Sequence, residues 1–363
     1  MHAHTGGVRA TAVGAWAASR GPAAMVPTGD EDVTMKSQTK YAPSAETLRS
    51  LLERAYGSDA VPAGDVVAHA LDEGHCNAVY SAGLRDGRRV VLKIGASPHA
   101  GLMSHEHALI RTEVAAIRLL RERTALPVPV VDHFDGSRGL VDAEWFAMPY
   151  IDGDNFGHLL RDDVLPADDA ARLHAQLGAM TREVNSIVGP AFGGVLDPRF
   201  DTWREAFTDL VGNALADAEQ AGVDLGVHPD VIRRAVTDHA ADLDEVRVPR
   251  LIEWDLWPTN AIVADGTIIG IIDHERALYG DPIMEAGFAP VDLPGVGGFD
   301  DFVRGYGRGE LTRSERRRRL LYTVNLFLIL VAEVPYRQYE DTSLAEHARD
   351  SLPMLLDRLA DLA

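Results

Sequence analysis

Asp255, Asn260 and Asp273 stand in one stretch, LIEWDLWPTNAIVADGTIIGIIDHERA, residues 251–277. An acid, an amide and a second acid are the groups that phosphoryl transfer requires. A carboxylate serves the acceptor hydroxyl, and oxygen ligands hold magnesium. The segment from Asp255 to Asn260 is too irregular for a good helix or strand. AIVADGTIIGIID then reads as an apolar hairpin turning at Asp265-Gly266, which brings Asp273 back towards Asn260. Glu253 adds a further carboxylate two residues before Asp255. The sequence has no G-x-x-x-x-G-K-[ST] loop, no H-E-x-x-H and no cysteine pair, which excludes an ordinary P-loop enzyme and disfavours a zinc site. The glycines of GYGRG, 305–309, read as a loop rather than a dinucleotide fingerprint.

A second signal is a scarcity. The only lysines are Lys36, Lys40 and Lys93, so one remains after residue 40 in a chain that otherwise uses arginine. Lysine offers a compact charge where the planar guanidinium would not fit. Strand alternation in RVVLKI places Val91 and Lys93 on one face and Val90, Leu92 and Ile94 on the other. The spacing of SHEHALIRTEVAAIRLLRER, 104–123, predicts a helix with Ile110, Val114, Ile117 and Leu120 as its apolar stripe. Glu113 falls inside that stripe, where a carboxylate needs a cationic partner. Glu106 lies on nearly the same face and is the alternative.

These residues are positioned by a coarse two-part pattern. Ser44 caps a helix to about Arg54, stopped by Gly57. DVVAHAL, AVYSAGL and RVVLKI read as strands, with LRDGRR as a hairpin turn. LPVPVVDHF is a loop leading into a strand, and EWFAMPYIDGDNF is a strand that breaks at Asp152-Gly153. Helices are predicted over 167–187, 202–222 and 229–243. Thr312 and Glu315 form a capping box for a further helix, whose Arg316–Arg319 run reads as a solvated face. A small β-rich lobe, 41–148, thus precedes a larger, mostly helical lobe, 149–363.

Composition narrows the partners. The 363 residues carry a net charge of −20, which disfavours nucleic acid and is compatible with cationic small molecules. One cysteine, Cys76, allows no internal disulfide and points to the cytoplasm. The longest apolar run, LLYTVNLFLILVAE at 320–333, is short for a membrane span and reads as a buried core helix. Residues 1–40 read as a mobile tail, with Met25 and Met35 available as alternative starts.

Taken in order, these motifs resemble those of the aminoglycoside phosphotransferase-like kinases. DLWPTN resembles the family's catalytic loop, IIDHERALYGDP its metal-binding segment, MPYIDG its hinge and VVLKI the strand that carries its nucleotide lysine. The resemblance covers about 41–290. It implies an α+β, two-lobed protein-kinase-like fold and an ATP- and magnesium-dependent phosphotransferase, with GTP as the alternative donor. In it Asp255 is the catalytic carboxylate, Asn260 and Asp273 hold magnesium, and Lys93, paired with Glu113, contacts the nucleotide phosphates. Met148, Pro149 and Ile151 form the hinge, where the Pro149 carbonyl and the Ile151 N–H suit adenine's donor and acceptor. The acceptor class it implies is an aminoglycoside or related cationic antibiotic, whose amines Glu253, Asp281 and Glu285 would face. DLWPTN and YGDP also resemble fructosamine kinases, so a metabolic kinase of an amino sugar or amine is the alternative. The chain departs from the pattern at Glu253-Trp254, where the family has His-Gly, and at Asn185, where it has a histidine. Glu253 is expected to be ionised and to brace the loop by accepting backbone N–H groups. A nucleotide-binding protein without activity is the reading of a different class.

Overall fold

The computed structural model describes residues 42–362 apart from 65–67, 72–76, 294–296 and 340. The tail expected over 1–40 and Cys76 lie outside the described residues. In the N-terminal lobe, α1 (Ala45–Tyr56) starts where the Ser44 side chain accepts from the Thr47 N–H and stops at Gly57, φ +85°. The strands are β1 (Ala68–Ala70), β2 (Ala78–Gly83) and β3 (Arg89–Ile94), followed after helix α2 (Leu109–Arg123) by β4 (His133–Asp135) and β5 (Trp145–Pro149). They form one antiparallel sheet in the order β1-β2-β3-β5-β4. The alternation in β3 holds: Val90, Leu92 and Ile94 pack with Leu48, Leu51 and Leu52 of α1, and Val91 packs with Ile110, Val114 and Ile117 of α2.

The expected helix over 104–123 is shorter. Ser104–Glu106 forms a separate 3-10 turn, because the Glu106 carboxylate accepts from the Met103 N–H at 2.8 Å. This segment crosses to the other lobe. Ser104 donates to Asp217 through N at 2.9 Å and Oγ at 2.7 Å, and Met103 is buried in the C-lobe core. Glu106 is therefore not the partner of Lys93; it pairs with buried Arg337.

The C-terminal lobe opens with β6 (Asp154–Asn155), α3 (Phe156–Arg161), α4 (Ala167–Val184), β7 (Phe192–Gly194), β8 (Asp197–Phe200) and α5 (Trp203–Gln220). Then come α6 (Pro229–Asp238), α7 (Ala240–Leu243), β9 (Arg250–Ile252), β10 (Ala261–Ala264), β11 (Thr267–Ile271) and β12 (Leu278–Gly280). The chain ends with α8 (Phe299–Tyr306), α9 (Arg313–Arg337) and α10 (Ser343–Asp361). Two small sheets run β11-β10-β6 and β8-β7-β12-β9. The β10–β11 hairpin turns at Asp265 and Gly266, φ +48° and +67°, the left-handed pair that a tight hairpin needs.

Helix α9 is long and apolar enough to cross a membrane by length and composition, but 72% of its apolar window is buried inside the protein. It is the core helix that 320–333 suggested. The Arg316–Arg319 run is only partly the solvated face expected. Arg318 and Arg319 are buried, with Arg318 Nε 2.8 Å from Asp281 and Arg319 Nε 3.4 Å from Asp292. The helix turns these two positions towards the segment after β12, whose carboxylates neutralise them. Within GYGRG, Gly305 is helical. A Cβ there would lie 1.8 Å from the Ala175 carbonyl oxygen, so close approach of α8 and α4 excludes any side chain.

Candidate active site

The site is assembled from β3, α2 and the two segments flanking the β10–β11 hairpin. Lys93 is 6% exposed, and its Nζ lies 2.6 Å from Glu113, 2.5 Å from Asp273 and 2.8 Å from Glu275. The pair expected from β3 and the α2 stripe is formed, and Asp273 joins it across the lobes. Burial alone would pull the lysine down; the carboxylates of Asp273, Glu113 and Glu275 more than offset it and hold its pKa well above the ordinary value. Burial pushes Asp273 up, but the lysine wins and the net shift is downward. Glu275 stays high, at about 8, through burial and the neighbouring Asp273 charge.

Glu275 was not singled out from the sequence, although it stands two residues after Asp273. Its Oε2 also accepts from Asn77 Nδ2. Oxygen atoms of Glu113, Asp273 and Glu275 lie within 4.8 Å of one another. Three carboxyl groups around one ammonium gather hard oxygen donors, a set that suits magnesium. Lys93 Nζ lies within 2.8 Å of all three, so each is tied to the lysine in this arrangement. Asn260 is brought beside them by backbone: Ile272 N–H donates to its carbonyl at 3.0 Å. Its Nδ2 donates to the Asp255 carbonyl at 2.8 Å, and its Oδ1 is the oxygen that could serve a metal.

Asp255 stands apart from the lysine cluster. Trp257 Nε1 donates to its Oδ1 at 2.7 Å, and Arg276 Nε lies 3.7 Å from its Oδ2. Burial raises its pKa, Arg276 draws it down and the Asp273 charge raises it, with a net rise. A raised carboxylate still flanked by a cation can accept a proton near neutrality. Two residues here carry backbone strain: Trp254 at φ +58° and Asp273 at φ +67°. A left-handed conformation in a bulky residue is costly and gathers at functional sites. It also explains why glycine is the usual choice at position 254 in the family pattern.

Glu253 does not brace the loop as expected. Its side chain is 2% exposed and accepts no backbone N–H; its Oε2 lies 3.0 Å from Nδ1 of fully buried His274. Nor does it face an acceptor. The brace is Glu285, which accepts from the Glu253 N–H at 3.1 Å, the Trp254 N–H at 3.0 Å and Asn185 Nδ2 at 2.7 Å. Asn185 is held in turn by the Tyr306 hydroxyl at 2.9 Å. Glu285 is therefore a buried positioning group and does not reach an acceptor amine, and burial pushes it up to about 8. Asp281 is also withdrawn: it accepts from Arg318 Nε at 2.8 Å and the Tyr322 hydroxyl at 2.7 Å. Both were expected at the substrate, and both are spent inside the C-lobe.

At the interlobe connection Met148 is buried opposite Val91, Pro149 is exposed, and Ile151 packs on Gly270, where a Cβ would meet its side chain at 2.6 Å. A cavity of about 530 Å³ lined by Leu126, Pro127, Met180 and Glu183 includes none of the site residues.

Comparison with known proteins agrees with this architecture. A search of the curated proteins finds no match. Among solved structures, a Thermobifida fusca protein described as a fructosamine-3-kinase is 18% identical, with a TM-score of 0.60 over 86% of this chain and 99% of its own. A thermostable aminoglycoside phosphotransferase in ternary complex with AMP-PNP and hygromycin B is 16% identical, TM-score 0.61, covering 86% of this chain and 99% of its own. A macrolide 2'-phosphotransferase from Brachybacterium faecium is 17% identical, TM-score 0.55, covering 85% and 98%. The fold is thus protein-kinase-like, a β-sheet lobe joined to a helical lobe. The family model described as the phosphotransferase enzyme family matches residues 67–321, a span that holds Lys93, Glu113, Asp255, Asn260 and Asp273, and the chain belongs to that family.

Proposed function

We propose that this small-molecule kinase transfers the γ-phosphoryl group of ATP to a hydroxyl of a cationic small molecule, an aminoglycoside or related antibiotic. The observation that carries the reading is Lys93 held between Glu113 and Asp273, with Asp255 outside that cluster on its own partners. In the proposed reaction Lys93 contacts the nucleotide phosphates. Asp255 orients the acceptor hydroxyl and takes its proton as the new P–O bond forms and the bond to the ADP oxygen breaks. Asn260 and Asp273, with Glu275, would hold magnesium, which supplies charge neutralisation on the phosphates. Met148, Pro149 and Ile151 would take the adenine. GTP is an alternative donor.

A cationic acceptor is supported by the acidic balance of the chain, while Asp281 and Glu285 are spent on internal partners. The second reading, a kinase of an amino sugar or other metabolic amine, rests on DLWPTN and YGDP, which resemble fructosamine kinases, and on the likeness in fold to the protein described as a fructosamine-3-kinase. A phosphate-transfer screen over antibiotics and amino sugars, with product mass, separates the two. Nucleotide binding without transfer to any acceptor would sink both and leave an inactive nucleotide-binding protein.

A further inference from the structure

The β9–β12 ladder stops at Ile252↔Leu278. Beyond it one strand runs into the loop carrying Asp255, and the other is fed by the segment carrying Asp273. Among the described residues, a side-chain link is made across this gap. His274 is 0% and Glu253 2% exposed, and they meet at 3.0 Å. The far side of the imidazole is also fixed, with Nε2 3.1 Å from the Ile271 carbonyl oxygen. The near side of Glu253 is fixed by its own backbone: its N–H is held by Glu285, and its carbonyl accepts from the Asp255 N–H at 2.6 Å. Glu253 is thus tied to Asp255 through its backbone, and His274 is the residue next to Asp273.

We infer that Glu253 and His274 are a positioning pair that sets the separation of the Asp255 loop from the Asp273 segment. The inference rests on the phosphotransferase reading, since it needs a reaction to position. Burying two polar side chains costs more than burying an apolar pair of similar volume. A polar contact anchored at both ends holds one geometry, whereas apolar contacts tolerate sliding. The contact spans 3.0 Å between Glu253 Oε2 and His274 Nδ1, and exchanging the two side chains should keep its reach.

The test compares wild type, Glu253→Gln, His274→Gln, the apolar double variant Glu253→Leu/His274→Leu and the exchanged double variant Glu253→His/His274→Glu. Each is measured for melting temperature, Mg·ATP affinity and phosphate release at saturating Mg·ATP, with water as acceptor. Loss of alignment is expected to lower the rate roughly 10- to 100-fold in both single variants and in the apolar double variant. Nucleotide affinity should move much less. The exchanged variant should recover most of the rate, and the apolar double should be folded yet slow. An exchanged variant no faster than the single ones, or an apolar double as fast as wild type, overturns the inference and leaves the function standing. A wild type that transfers phosphate neither to water nor to any acceptor of the screen overturns the function and the inference with it.

Discussion

Replacing Lys93 with Met keeps the length of the side chain and removes the charge that three buried carboxylates share. Each contact, at 2.5–2.8 Å, is worth about 6 kcal/mol gross at an effective dielectric of about 20. Desolvation of the four groups and repulsion among the carboxylates cancel most of that. What the variant exposes is the asymmetry: the carboxylates stay buried without a cation, which typically costs about 3–5 kcal/mol. With an unfolding entropy of about 2.1 cal/mol/K per residue, or about 0.7 kcal/mol/K over the described chain, the melting temperature should fall by about 4–7 °C. The fall should be larger at about pH 8 than at about pH 6, because Glu275, already at about 8, is relieved by protonation. Millimolar magnesium should stabilise the variant more than wild type, since a cation then returns to the vacated place. Lys93→Arg should not restore nucleotide binding, because a planar guanidinium cannot meet three oxygens from one point. Thermal unfolding with and without magnesium reads all of this. Equal melting temperatures for wild type and Lys93→Met at about pH 8 without metal would refute the reasoning.

Asp273→Asn should abolish transfer by removing the charged ligand proposed for magnesium and one of the lysine's partners, whereas Asp255→Ala should slow the chemical step and leave ATP affinity within about threefold. Equal loss of nucleotide binding in both, by titration calorimetry, would make Asp255 structural. Glu275 and Glu285 lie at about 8 in the folded state against an ordinary 4.5. Raised carboxyls favour the protonated native state, so their contribution is fully present below about pH 4.5 and is lost as pH rises through about 8. The metal-free protein should therefore melt lower at about pH 8.5 than at about pH 6, and Glu285→Gln should flatten that slope; a profile that rises across the window would contradict it. Glu106→Gln removes a charged partner of buried Arg337 and should lower the melting temperature, with no change in the acidic limb of the rate profile assigned to Asp255 in the proposed reaction. A shift of that limb would mean that the interlobe contact reaches the catalytic carboxylate.

What could be read from the sequence and what could not divide along a physical line. Lys93 and Glu113 were legible because each violates a local pattern: a lysine in an arginine-rich chain, and an acid on an apolar stripe. Asp255, Asn260 and Asp273 were legible because a short hairpin with a recognisable turn fixes their return. Glu275, His274 and Arg276 lay in the same quoted stretch and were passed over, since alternation there is broken and nothing local says which side chain points inward. The errors came from partners far along the chain. Glu285 reads as an acid facing the acceptor's amines until Asn185 and the Glu253 and Trp254 amides are placed around it, 100 and about 30 residues away. Glu106 looked like a second partner for Lys93 and instead meets Arg337, 231 residues later. Arg318 and Arg319 looked solvated because charge runs usually are, yet Asp281 and Asp292 wait for them 37 and 27 residues upstream. Net charge hides such pairs, because an acid and a base that cancel inside the C-lobe count the same as two that never meet. In this chain the carboxylates furthest from their partners in sequence brace the catalytic loop and tie the lobes, so the scaffold of the site lies in its long-range contacts while its chemistry lies in its motifs.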